Sequence, residues 1–396
     1  MSEARVLSDA PWLRSGPAAR VLALLNGDGE EARVVGGAVR NALLNIPLGD
    51  IDIATTALPD EVVRRAKAAG IKCVPTGIDH GTVTLVIDAQ PFEVTTLRED
   101  TETFGRKARV VFGRDWVRDA ERRDFTINGL SVDAGGIVHD HVGGLADIEA
   151  RRVRFIGDAG QRIAEDYLRI LRYFRFQARF GGTRDGEAEA ACADLAAGLK
   201  SLSRERIGWE LRNLLGLPDP APTVTRMREL DVLQVVLPEA GRREVDKLAE
   251  LIAAERTARM PPDAIRRMAA LLPAVPPVAE TVAARLRLSR SERQRLACAA
   301  ARDMRDGENP RALAYAVGIG CAVDRLLLTG ADPGPLTGWN PPSFPLKGGE
   351  IVARGIDAGP EVARILRTVE AAWVSEGFPD RARVTQMLDA ELARRS

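Results

Sequence analysis

Histidine is almost absent from this chain, with three in 396 residues, and the four cysteines are scattered without a Cys-x-x-Cys pair. That excludes zinc sites built from close cysteine and histidine ligands, and Cys73, Cys192, Cys298 and Cys321 are expected to be reduced, structural thiols. No run approaches the roughly 20 apolar residues of a membrane span. The opening Met-Ser-Glu-Ala-Arg has no apolar signal core, so a cytoplasmic protein without a membrane partner is expected. Net charge is lacking too, since 56 acidic residues balance 56 basic ones. No global basic field draws in a polyanion, and any such site must be local. Lysine supplies only six of the 56 basic residues. The remainder is arginine, whose planar fork makes bidentate phosphate contacts; a biased genome composition accounts for most of them equally well. With 45% hydrophobic and 28% charged residues, the chain is large enough for two or three domains with sizeable cores.

Residues 34–54 organise the rest. An apolar strand over 32–35 breaks at Gly36-Gly37 into a short helical pattern, and a second strand then carries Asp50 and Asp52 with Ile51 and Ile53 between them. Two glycines in a strand-to-helix turn let the backbone approach an anion such as a triphosphate, and Arg40 adds a fixed positive charge one turn later. The two-residue period of a strand sends both aspartates to one face, where they can share metal ions; hard oxygen ligands suit magnesium. A Gly-Gly turn alone is commonly a tight connection, and Asp-x-Asp alone a solvated strand end. Their combination in one βαβ-like unit points to nucleotidyl transfer. A dinucleotide site lacks its G-x-G-x-x-G, and a calcium loop fails because Thr55 stands where glycine is required.

Further along, a helix is expected over 59–69, stopped by Gly70, then strands over 71–74, 82–88 and 92–97. Glu93 in the last strand is either a third carboxylate beside Asp50 and Asp52 or a solvent-facing residue. His80 reads as a turn residue. The polar stretch 98–115, with Gly105 and Gly113, reads as a mobile loop near the site. Arg122, Arg123 and Asp124 open a short apolar helix; they are either local ion pairs or a cluster holding triphosphate through arginine and a ribose hydroxyl through Asp124. The segment 161–180 is too apolar for a helix with one wet side. Its charges Asp166, Arg169, Arg172 and Arg175 are spaced by three, a drift of about 60° per step. Asp166 and Arg169 can address one ligand together while Arg175 faces nearly away; a surface pair Glu165 with Arg169, worth about 0.2–0.5 kcal/mol, is the plainer alternative. Beyond Gly181 the pattern is helix after helix. Ser203 is an expected N-cap, the prolines within 272–278 break a helix, and 332–345 is the clearest linker.

Gly36-Gly37-x-x-Arg40, Asp50-x-Asp52, Arg122-Arg123-Asp124-Phe125-Thr126-Ile127-Asn128, Asp140-x-x-Gly143-Gly144-x-x-Asp147 and Glu165-Asp166-x-x-Arg169 follow one another in this order. The succession resembles class II tRNA nucleotidyltransferases and the related bacterial poly(A) polymerases, most specifically over 34–180. Two positions depart from the pattern: Asn41 stands where the family usually has Asp, and Gly129 where it has Ala.

The resemblance implies an α+β fold: a nucleotidyltransferase head with a central β-sheet (1–157), then an all-helical neck (158–202), body (203–331) and tail (332–396). It implies template-independent addition of CCA to the tRNA 3′ end from CTP and ATP, with pyrophosphate released. Asp50 and Asp52, with Glu93 as a possible third carboxylate, would hold two Mg2+ ions. Gly36, Gly37, Arg40, Arg123, Asp124, Arg172 and Arg175 would bind nucleotide, and Asp166 with Arg169 would read the incoming base. Cytosine and adenine each offer an amino donor beside a ring-nitrogen acceptor, which a carboxylate next to a guanidinium matches; uracil and guanine present the reverse. The loop 100–114 is present, whereas members limited to CC addition tend to lack it. A poly(A) polymerase, a partial CC- or A-adding enzyme, and a non-catalytic RNA-binding protein are the alternatives. For RNA contact the basic run gives Arg287, Arg290 and Arg293, and the tail gives Lys347 and Gly359, the latter opening a helix with Pro360. No obligate protein partner is evident.

Overall fold

The computed structural model describes residues 6–7, 9–78, 81–100 and 110–394. His80 and positions 101–109 of the expected loop lie outside the described residues. The chain forms two units, one running to Leu202 and including Arg226–Val235, the other Ser203–Thr225 with Val236 onward.

The first unit is built on strands β1 (Ala32–Val35), β2 (Asp52–Thr55), β3 (Lys72–Gly77), β4 (Thr82–Ile87), β5 (Gln90–Thr96), β6 (Arg98–Asp100), β7 (Val110–Phe112), β8 (Ser131–Val132) and β9 (Val138–His139). Seven make one mixed sheet in the order β3-β4-β5-β2-β1-β8-β9, and β6 pairs with β7. The alternation that predicted strands is visible in β4, where Val83, Leu85 and Ile87 are buried and the residues between them half-buried. Pro59 opens the helix Pro59–Ala68 and Gly70, at φ +66°, follows its end.

Two registers position the site. β1 runs antiparallel to β2 with Val35 opposite Asp52, so Asp52 lies beside the start of the Gly36-Gly37 turn. β2 runs parallel to β5 with Ile53 opposite Val94, which places Asp52 and Glu93 at one level on one face. The second strand is shorter than its sequence suggests: it begins at Asp52, and Asp50 lies in the preceding loop.

The segment 161–180 is two helices and not one. Ala159–Glu165 ends at Asp166, whose φ −155° and ψ 102° are extended, and Leu168–Phe180 follows. The second helix is bound to the sheet region by an aromatic cluster, with Phe125 4.9 Å from Phe155 and 5.2 Å from Phe176 between ring centres.

The described residues of the second unit contain helices and no strand. Ser203 caps Arg204–Leu215 by accepting the Arg206 N–H, and the proline segment separates Ala264–Ala270 from Pro276–Arg285. Glu255 is buried between Arg266 (2.7 Å) and Arg267 (2.8 Å), and Arg266 and Arg295 meet the buried Asp324. The C-terminal helices Pro360–Ser375 and Arg381–Ala393 share a core around Ile365, Val369, Trp373, Val384 and Leu388. One expectation fails here: Cys298 and Cys321, on helices Arg290–Ala300 and Ile319–Thr329, form a disulfide, leaving Cys73 and Cys192 free. Their 23-residue separation concealed a pairing that only helix packing creates.

Candidate active site

Gly36 has φ +68°, a conformation other residues adopt only with strain. A Cβ there would stand 3.1 Å from Arg123 Nη1 and 3.7 Å from the Asn128 carbonyl, so the turn is open to these groups because glycine occupies it. Asp50, Asp52 and Glu93 all reach solvent. The Asp52 carboxyl is nonetheless held above the usual aspartate range, first by crowding that removes its water, then by the negative charge of Glu93; Arg123 opposes the rise and Asp50 adds to it. Two carboxylates and one guanidinium therefore act on Asp52 beside a Gly-Gly turn. Among the described residues no three His, Cys, Asp or Glu side chains stand close enough to hold an ion by themselves. A cation here would complete its shell with phosphate oxygens and water, which is how magnesium is ordinarily bound, and the mutual repulsion on Asp52 is what such a cation relieves.

The arginines are fixed by buried partners. Asp119, 2% exposed, takes Arg122 Nε at 2.8 Å on one oxygen and Arg123 Nη2 at 3.1 Å on the other. The Arg123 carbonyl in turn accepts from Arg162 Nη2 at 2.6 Å. Arg40 is buried and donates to Asn41 Oδ1 (2.9 and 3.2 Å) and to Asn128 Oδ1. Burial and the nearby Arg179, Arg175 and Arg172 push the Arg40 guanidinium down to about 10, with Asp124 opposing. Asn41, neutral where the family usually has Asp, accepts these hydrogen bonds without adding a countercharge of its own. Arg40 also lies 4.2 Å from the centre of the Phe180 ring.

Asp124 is almost wholly buried. One oxygen accepts the Phe125 N–H (2.9 Å) and Asn128 Nδ2 (3.0 Å), and the other accepts Arg172 Nε (2.8 Å) and Nη2 (2.5 Å). Burial alone would raise its carboxyl; Arg172 and these hydrogen bonds lower it further than burial raises it. Four donors fill the lone pairs of a carboxylate, so in this arrangement Asp124 orients Arg172 and Asn128 and has none left for a ribose hydroxyl. Arg175 places its guanidinium 4.8 Å from the Phe176 ring centre and is among the positive charges that act on Arg40.

Asp166 and Arg169 stay together although no single helix carries both. Asp166 Oδ1 accepts the Leu168 N–H at 3.1 Å, and its carbonyl accepts the Arg169 N–H at 3.0 Å. Arg169 Nη1 donates to the Arg162 carbonyl (2.7 Å) and pairs with Glu165, which Arg162 also holds at 2.9 Å. The surface pair Glu165–Arg169 is thus present, and together with the Arg162 carbonyl it holds the Arg169 guanidinium.

The other motif residues are structural. Asp140 accepts four backbone N–H groups, from Val142, Gly143, Gly144 and Leu145, and the fully buried Asp147 holds Thr126, Arg152 and Arg154. In the second unit the basic run divides: Arg285 pairs with Glu239 and Arg295 with Asp263 and Asp324, Arg293 lies 3.9 Å from Glu280, and Arg287 and Arg290 are exposed. Lys347 and Gly359 are exposed in the C-terminal region. Asp119 and Arg162 were not legible as site residues from sequence; the four-residue spacing of Asp119 and Arg123 on one helical turn was the available signal for the first.

Residues 32–154 match the Poly A polymerase head domain model, and 185–242 match the model described as a probable RNA and SrmB-binding site of polymerase A. The chain is 34% identical over 379 residues, 89% of its length and 84% of the relative's, to the mitochondrial CCA tRNA nucleotidyltransferase 1 of Mus musculus. It is 42% identical over 197 residues, 49% of its length and 48% of the relative's, to the CCA-adding enzyme of Leuconostoc citreum. Among solved structures, that of the Bacillus stearothermophilus CCA-adding enzyme in complex with CTP superimposes with a TM-score of 0.77 at 28% identity, covering 98% of this chain and 99% of that one. The Thermotoga maritima CCA-adding enzyme complexed with tRNA shares the fold, with a TM-score of 0.76 at 21% identity over 99% and 100% of the two chains.

Proposed function

The chain belongs to the family of CCA-adding tRNA nucleotidyltransferases, and from that premise we propose how its own residues carry out the reaction. The enzyme adds CCA to the 3′ end of tRNA, using CTP and ATP and releasing pyrophosphate, without a nucleic-acid template. The observation that carries the reading of the site is the meeting of Asp52, Glu93, Arg123 and the Gly36 turn, set by the registers of β1, β2 and β5.

Asp50 and Asp52 are the residues we assign to divalent metal ions, two Mg2+ in our reading, which when bound activate the primer hydroxyl and neutralise the departing pyrophosphate. Arg123, aimed by Asp119, sits where the phosphates would meet the Gly36-Gly37 turn. Arg40 adds a buried positive charge next to Gly37, held by Asn41 and Asn128. Asp124 keeps Arg172 and Asn128 in place. Glu93 acts as a neighbouring charge that tunes Asp52. Asp166 and Arg169 read the pairing edge of the incoming base, and because one carboxylate and one guanidinium match both cytosine and adenine, one site serves both nucleotides.

We divide the chain into a head (1–157), neck (158–202), body (203–331) and tail (332–396). Support comes from the start of the helical region at Ala159, the unit boundary at Ser203 and the proline- and glycine-rich stretch ahead of the Trp373 core. No helix of the described residues is long and apolar enough to cross a membrane. The cytoplasm is our proposed compartment, although the relatives include mitochondrial enzymes.

The test is to offer CTP, ATP or both to tRNA transcripts ending before CCA, after C and after CC. Completion of CCA from all three, stopping there, is expected. Continued A addition would identify a poly(A) polymerase, and a stall after CC or inactivity on the first transcript a partial enzyme.

A further inference from the structure

Asn41, 5% exposed on the helix Gly37–Leu43, places its side-chain amide between groups of opposite hydrogen-bonding character. Its Oδ1 accepts from Arg40 Nε at 3.2 Å and Nη2 at 2.9 Å, and its Nδ2 donates to the Pro47 carbonyl at 3.1 Å. A guanidinium only donates and a carbonyl only accepts, so the group between them has to do both. An amide does. A carboxylate of the same size only accepts, and it would set a bare oxygen against the Pro47 carbonyl.

The two ends of this bridge lead to the two parts of the site. On one side, a Cβ at Gly37 would stand 3.6 Å from Arg40 Nη2, so the guanidinium lies beside the Gly36-Gly37 turn, with Asn128 Oδ1 as its further acceptor. On the other, Pro47 belongs to the loop that carries Asp50 to the start of β2 at Asp52. Asn41 holds that loop twice, since its backbone carbonyl also accepts the Ile46 N–H at 2.9 Å. Asn45, at φ +54°, supplies the left-handed turn after the helix end that returns Ile46 and Pro47 to Asn41. Further on, Gly49 and Asp50 are exposed, and the pairing of β2 with β1 begins at Asp52 opposite Val35. Asp50 is thus set between the Asn41 anchor and the strand.

We propose that Asn41 is a positioning residue that couples the Arg40 guanidinium at the glycine turn to the placement of Asp50. Its oxygen orients the guanidinium that faces phosphate without adding a countercharge, and its N–H fixes the loop from which Asp50 reaches a divalent ion. The inference rests on the nucleotidyl transfer proposed for this site and deepens it with a residue that acts through Arg40 and Asp50.

The experiment compares the parent with Asn41→Asp, which keeps the size and the acceptor but loses the donor, and Asn41→Ala, which loses both. Amide exchange over residues 48–51, followed in metal-free protein, should quicken by up to about tenfold in both variants, the worth of one hydrogen bond. At saturating nucleotide and well below the unfolding temperature, kcat should fall by about 10- to 100-fold in both, as for a small misplacement of a reacting group. Asn41→Asp should in addition raise KM for CTP and ATP severalfold, because it sets a negative charge beside Arg40, and Asn41→Ala should raise it less. Exchange over 48–51 equal to the parent's would overturn the link to Asp50. Parent-like kcat and KM in Asn41→Asp would overturn the proposal whatever happens to the Tm, since a purely structural role changes stability alone. A parent that extends no tRNA transcript would overturn the functional reading beneath it instead.

Discussion

Asp119 and Arg123 form a buried ion pair at 3.1 Å that leaves the other end of the guanidinium, Nη1, against the Gly36 turn. The carboxylate is nearly inaccessible and shares its second oxygen with Arg122, so the pair fixes a direction for Arg123 more than it contributes net stability. Asp119→Asn removes that constraint without removing Arg123. We expect kcat/KM for CTP and ATP to fall by about 10- to 100-fold, the scale on which a small misplacement of a positioning group is felt. Equal loss of thermal stability with unchanged kinetics would show that Asp119 serves only the fold.

Glu93→Gln tests the charge relation with Asp52. Glu93 raises the Asp52 carboxyl, so Asp52 loses its charge at a higher pH than an ordinary aspartate as the solution is acidified. Neutralising Glu93 lowers Asp52 toward the ordinary value. The acid limb of the kcat/KM profile should therefore move to lower pH, with activity above neutrality preserved. A uniform loss at every pH would instead make Glu93 a third ligand.

Asp166→Ala should reduce the preference for CTP and ATP over UTP and GTP more than it reduces metal-dependent chemistry. A buried polar group left unpaired by the wrong base costs about 1–3 kcal/mol, so two such contacts discriminate by roughly 10²-fold or more. Because Asp166 also accepts the Leu168 N–H, about 1 kcal/mol of stability should go with it, read separately by thermal unfolding. A variant that is slower on all four nucleotides yet equally selective would assign Asp166 to structure.

Titrating thiols in unfolded, unreduced protein should give two groups and not four, from Cys73 and Cys192. Cys298→Ser should cost about 3 kcal/mol in oxidised protein, as expected for opening a loop of this length, and nothing once the parent is reduced. Four titrated thiols would show that the pair stays reduced in the isolated protein.

The sequence by itself determined the local pieces of this enzyme. Gly36-Gly37, the alternation in β4, the Ser203 cap and the proline break before Pro276 are short-range features, and turn geometry, side-chain period and missing N–H groups act within a few residues. The order of the motifs also carried the family. Tertiary structure decided what depends on packing between distant segments. It set Asp52 level with Glu93 through strand register, filled Asp124 with Arg172 from 48 residues away, and broke the 161–180 segment at Asp166. It also joined Cys298 to Cys321. Each of these depends on which surfaces meet when helices and sheet bury their apolar faces, and a one-dimensional pattern fixes which face is apolar but not what it meets.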